Sequence, residues 1–191
     1  MPIRPSGLAH VVYRTRRFDE MLSWYTAVFG AKIQYQNPAL VFLTFDDEHH
    51  RFALANLDVI KPEQDDKDDR GMVGLDHIAY DYGSIRDLLE NYEEFKTKGI
   101  TPYWCVNHGM SASLYYADPD GNQMEFTTDV FATKAEGSAY FHGSDIGDNP
   151  VGVEYDPDEW LEKLRAGTPE AELLKFDTDG AVSPIRGAMM A

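Results

Sequence analysis

The apolar positions of this chain fall into the same succession twice. Leu8-Ala9-His10-Val11-Val12-Tyr13 and Leu75-Asp76-His77-Ile78-Ala79-Tyr80 are short, largely apolar segments, each preceded by a glycine and each with a histidine in the middle. Their length and β-branched content favour a buried strand over a helix. After the first, Phe18, Met21, Leu22, Tyr25, Val28 and Phe29 recur at the spacing of one helical face, and Gly30 supplies a stop. After the second, Ile85, Leu88, Leu89, Tyr92 and Phe95 do the same, with Ser84 as an N-cap and Gly99 as the stop. Strand-like runs follow in each copy: Ala31 to Gln36, Ala39 to Phe45 and His50 to Leu57, then Thr101 to Val106, Ser113 to Tyr116 and Asn122 to Thr127. Asn37-Pro38, Asp46-Asp47-Glu48 and Asp118-Pro119-Asp120-Gly121 read as turns. The pattern predicts an α+β fold of two tandem β-α-β-β-β modules, about 7–57 and 73–129.

Between the copies, residues 58–72 are too charged and too poor in apolar positions to be buried, and read as a linker. We expect residues 1–130 to form one domain and 131–191 to be a C-terminal extension rather than a second domain. In that extension Asp156 to Leu164 has the acidic start of a short helix, and Thr168-Pro169 reads as the cap and first residue of another. The expectation is a partly helical arm wrapped over the domain or over a neighbouring subunit.

Composition narrows the partners. The 191 residues carry 17 Lys plus Arg against 33 Asp plus Glu, a net charge of -16, which repels nucleic-acid backbones and anionic membranes. Cys105 is the single cysteine, which excludes an intrachain disulfide and fits a reducing cytoplasm. Neither a membrane-length apolar run nor a signal-peptide core is evident, so the expectation is a cytoplasmic protein. Exposed strand edges in such modules favour a homodimer or larger homo-oligomer.

The repeat places His10 and His77 at matching points, so two such modules side by side would turn both imidazoles into one concave cup. Glu125, between Met124 and Phe126, is a carboxylate in an apolar strand and needs a cationic partner if buried. Two histidines and a carboxylate on three strands make the facial set that holds Fe(II) with coordination positions left open, and Mn(II) suits the same ligands.

The segment Asn107-His108-Gly109, continuing through Ser113-Leu114-Tyr115-Tyr116-Ala117-Asp118-Pro119-Asp120-Gly121-Asn122-Gln123-Met124-Glu125, resembles the signature of the vicinal oxygen chelate superfamily. Glyoxalases, bleomycin resistance proteins and dioxygenases belong to it. The resemblance covers roughly Gly7 to Asp129 and implies a metal cup built from the paired modules. Asp47-Glu48-His49-His50-Arg51-Phe52-Ala53-Leu54 further resembles the paired-histidine segment of type I extradiol dioxygenases. That likeness implies a compact single-domain extradiol enzyme, inserting O2 into a catechol-type diol beside its two hydroxyls, with His50 as acid/base and His49 bordering the substrate. Glyoxalase-like members take a fourth ligand from the last strand of the first module, where this sequence offers only Phe52 or Ala53.

The same resemblance implies that Tyr115 bonds a diol oxygen and that His108 borders the substrate, although the spacing from His108 to Tyr115 is two residues shorter than in the two-domain enzymes. Phe52, Trp104, Met110 and Phe126 are candidates for the apolar wall. Two rivals share parts of this reading. A metal-dependent isomerase or lyase of the superfamily would keep the ligands without using O2, and a metal-free binding or resistance protein would keep the cup without the complete metal set.

Overall fold

The computed structural model describes residues 3–62, 74–117, 123–143 and 145–187. The first module runs β1 (Gly7–Thr15), α1 (Phe18–Phe29), β2 (Lys32–Gln36), β3 (Leu40–Thr44) and β4 (Phe52–Asn56). The second repeats the order as β5 (Gly74–Asp81), α3 (Ile85–Thr97), β6 (Trp104–Asn107), β7 (Ser111–Ala117) and β8 (Gln123–Asp129). Between them the intended linker begins as a helical turn, α2 (Leu57–Ile60), because Leu57 is buried and Asn56 accepts from the Asp58 amide as a cap. Residues 63–72 of that linker, and the turn Asp118 to Gly121, lie outside the described residues.

The two modules share one sheet. Its first eight strands run β2-β3-β4-β1-β5-β8-β7-β6, so β1 and β5 pair antiparallel at the centre and each is flanked by the parallel last strand of its own module. Strand parity then divides the residues. Val41, Leu43 and Leu54 pack against Phe18 and Tyr25 of α1, while Ala112, Leu114 and Tyr116 pack against Ile85, Leu88, Leu89 and Tyr92 of α3. Both helices end at glycines in the left-handed region, Gly30 at φ 60 and Gly99 at φ 73, where other residues would be strained. Ser84 caps α3 by accepting from the Asp87 amide. With both helices on one side of the sheet, the other side curves into the cup.

The C-terminal arm folds back over this chain's own domain. It contains α4 (Lys134–Tyr140), α5 (Asp145–Asp148), β9 (Val153–Glu154), α6 (Pro157–Arg165) and α7 (Glu170–Leu173). β9 adds a ninth strand beside β6. Asp156 caps α6 through the Asp158 and Glu159 amides. In α7 Pro169 is the cap residue rather than the first helical one, so Thr168 stands one place outside. Leu161, Leu164, Leu173 and Leu174 join the core under α3, and burial of each such side chain is worth about 1.5–3 kcal/mol. Farther along, Phe141 and Ile146 pack with Met110 at the end of the cup. No helix among the described residues is long and apolar enough to cross a membrane.

Candidate active site

On β1 the residues on the cup side are His10, Val12 and Arg14, each two apart, and on β8 they are Gln123 and Glu125. Together with His77 on β5 they line a cavity of about 500 Å³. His10 Nε2 lies 2.9 Å and His77 Nε2 3.1 Å from the same oxygen, Glu125 Oε2. All three residues are buried, Glu125 to 1 % exposure. Despite those distances, His77 Nε2 and Glu125 Oε2 have no well-aligned hydrogen bond among the described residues. Buried polar atoms that converge without aligning are costly for a metal-free fold. They suit a shared divalent ion, because donors at right angles around one with bonds of about 2.1 Å lie about 3 Å apart. The donor set therefore fits a metal.

Neighbouring groups orient these side chains. Ser113 Oγ donates to Glu125 Oε1 at 2.6 Å, and His77 Nδ1 meets Asp76 Oδ1 at 2.8 Å, the outer partner that fixes a ligating imidazole. Arg14 Nε stands 3.4 Å from the other oxygen of Asp76. Burial would raise the Glu125 carboxyl, but His10 and His77 outweigh it and hold it well below the usual carboxylate range. Burial alone would lower His77; the Asp76 and Glu125 carboxylates reverse that and carry it up to about 9. For His10 burial prevails over Glu125, so this imidazole is held neutral.

His50 lines the same cavity, its ring 4.2 Å from the His10 ring between centroids. Burial keeps it neutral, well below an ordinary histidine. Across the cup, His108 and Tyr115 meet despite their shortened spacing. His108 Nδ1 donates to the Val151 carbonyl, which can only accept. Its Nε2 is then an acceptor for the Tyr115 hydroxyl 3.0 Å away. Burial holds the Tyr115 phenol well above its ordinary value, so it stays protonated. Trp104 stacks on Tyr115 at 4.6 Å and donates its indole N–H to Ser183 Oγ at 2.9 Å. Met110 closes the end of the cavity.

Three expected wall or substrate residues lie elsewhere. Phe126 alternates with Glu125 along β8, so it faces α3 and packs on Tyr82, Phe95 and Tyr116. Phe52 likewise faces α1, against Tyr25 and Phe29. Its neighbour Ala53 takes the cup position on β4, where the repeat superimposes it on Glu125. His49 stands behind His50 rather than in the cavity, with its Nε2 3.1 Å from Asp129 Oδ1. Not anticipated were the arm residues Pro150, Val151, Ile185 and Arg186, which complete the cavity wall. Tyr103, Gln123 and Asp76 form a further linked group on the wall, Tyr103 donating to Gln123 Oε1 and Gln123 to the Asp76 carbonyl, both at 3.0 Å.

Residues 7–126 match the model of the Glyoxalase/Bleomycin resistance protein/Dioxygenase superfamily. The chain belongs to that superfamily. Within it, the chain is 45 % identical over 161 residues to biphenyl-2,3-diol 1,2-dioxygenase 2 of Rhodococcus globerulus, covering 84 % of this chain and 83 % of the relative. It is 41 % identical over 168 residues to biphenyl-2,3-diol 1,2-dioxygenase 3 of the same organism, covering 87 % and 86 %. Among solved superfamily structures it resembles a Mn(II)-bound glyoxalase from Novosphingobium aromaticivorans, with a TM-score of 0.55 and 26 % identity, over 65 % of this chain. The chain spans 38 % of that structure's length.

Proposed function

We propose that this protein is an Fe(II)-dependent extradiol dioxygenase that opens an aromatic diol of the biphenyl-2,3-diol type beside its two hydroxyls, with O2 as co-substrate. The observation that carries the reading is the convergence of His10, His77 and Glu125 on one point of a cavity that also presents His50 and Tyr115. Two relatives above 40 % identity along most of their length, both named for that diol, support the reaction class. His10, His77 and Glu125 hold the iron. Mn(II) is the alternative, since the ligand types suit both. His10, His77 and Glu125 would hold the iron where it could supply a common centre for diol and O2 and a path for electron density between them.

The chain's own residues bind and deprotonate the diol. Neutral His50 accepts a hydroxyl proton at Nε2, because its Nδ1 is occupied by His49. Tyr115 donates a hydrogen bond to His108 Nε2 and so offers the diol its hydroxyl oxygen as an acceptor. Trp104 and Met110 flank the reacting ring. Val12, Leu40, Ala53, Ala55, Leu57 and Ile60 supply an apolar slot beside it, which favours a substrate with a second ring over a bare catechol. The single cysteine and the exposed edge of β2 support a cytoplasmic homodimer or larger homo-oligomer.

Oxygen uptake tests the reading. Protein reconstituted anaerobically with Fe(II) is mixed with biphenyl-2,3-diol, and a yellow ring-opened product is sought. Uptake with product, abolished in Glu125→Ala, is expected. Bound metal without uptake on any diol would point to a superfamily isomerase or lyase instead.

A further inference from the structure

Behind His50, on the side away from the cavity, polar side chains from three segments form one connected line. His49 Nδ1 lies 2.6 Å from His50 Nδ1. His49 Nε2 lies 3.1 Å from Asp129 Oδ1, at the end of β8. Lys134, at the start of α4, donates to Asp129 Oδ2 at 2.6 Å and to Glu48 Oε1 at 2.7 Å. Farther along α4, Gly137 brings its backbone against the His49 ring, and the Phe141 ring lies against both imidazoles. The C-terminal arm thus seals the pair from one side.

The protons in this line are fixed by what each partner can do. Asp129 accepts, so His49 must carry its proton on Nε2 to satisfy it. Two ring nitrogens 2.6 Å apart need one proton between them. A neutral His49 has none left on Nδ1, so the shared proton belongs to His50 Nδ1.

We propose that Asp129 and His49 are positioning residues that lock His50 in the tautomer protonated at Nδ1, leaving Nε2 as the bare nitrogen offered to the diol. This rests on the reading of His50 as the proton acceptor. In the step it prepares, the diol O–H bond breaks and an N–H bond forms at His50 Nε2. The resulting imidazolium keeps its Nδ1–H on His49, and the Asp129 carboxylate offsets its charge through the His49 ring.

The tautomer is read by NMR of histidine-nitrogen-labelled protein loaded with diamagnetic Zn(II), alongside steady-state kinetics of the Fe(II) form. His50 protonated at Nδ1 is expected in the wild type. His49→Phe, which removes both contacts, should lose that tautomer and lower kcat about ten- to hundredfold, with metal content and KM within about twofold. His49→Asn puts a carboxamide oxygen near the place of Nδ1 and should restore the tautomer and much of kcat, which a purely structural role for the ring would not. Asp129→Asn provides a second perturbation should His49→Phe fail to fold. A wild-type His50 protonated at Nε2, or His49→Phe with unchanged tautomer and kcat, would overturn the inference. The NMR result is independent of turnover: an Nδ1 proton in a protein that opens no diol would sink the proposed function and leave the relay standing.

Discussion

Metal binding by this protein should release a proton, and the proton comes from His77. In the metal-free chain its imidazole is held at about 9 by the Asp76 and Glu125 carboxylates, against burial, from an ordinary 6.5. That difference is worth about 3 kcal/mol. Because the folded value is the higher one, the stabilisation is fully present below pH 6.5 and disappears as pH rises through about 9. A metal must displace this proton to reach Nε2, so its affinity runs the other way. At pH 7 the site should bind about a hundredfold more weakly than above pH 9, gaining roughly tenfold per pH unit between. His10 is lowered and Glu125 is already ionised, so neither adds to that slope. The assay is titration of metal-free protein with Mn(II) in weakly buffered solution at pH 7.5, with an indicator dye counting protons, and affinities repeated from pH 7 to 8.5. Asp76→Asn, which removes the group with the largest upward pull on His77, should flatten the slope. Proton-free binding with pH-independent affinity in the wild type would refute this reasoning.

Other consequences are simpler. Leu164→Ala, at a 2 % exposed position where the arm meets α3, should cost about 2–5 kcal/mol and lower the Tm by roughly 5–15 °C; a shift under one degree would mean the arm is not docked. His50→Phe should keep its metal, measured by elemental analysis, while losing most ring cleavage, and retained turnover would remove His50 from the mechanism. Burial pushes the Cys105 thiol up to about 12, so at pH 8 a disulfide reagent should modify the folded protein about a thousandfold more slowly than the unfolded chain. Equal rates would contradict the burial of the Cys105 thiol.

Much of the cup was legible in the sequence because it depends on repetition and strand parity. His10 and His77 stand at matching places in two copies, and Glu125 is a charge in an apolar strand, which is expensive without a partner. Parity would also have excluded Phe126 once Glu125 was placed, since neighbours on a strand face opposite ways. Superimposing the copies would have chosen Ala53 over Phe52 in the same manner. Local chemistry gave the Ser84 cap and the acidic start of the helix at Asp156. What stayed hidden are contacts that cross long stretches of chain. Nothing near His49 indicates that Asp129, 80 residues on, accepts from it. Nothing near His108 points to the Val151 carbonyl, and the arm's share of the cavity wall depends on packing that no local pattern encodes. Even α2 formed where the charged linker was expected, because Leu57 found a buried place.

The central claim is that O2 is inserted into the ring, and mass spectrometry of the product formed under isotopically heavy oxygen tests it most directly. Fe(II)-reconstituted protein and biphenyl-2,3-diol should give a ring-opened product carrying both labelled atoms, cleaved next to the hydroxyl-bearing carbons rather than between them. A product with an intact ring, or an opened one without label, would contradict it.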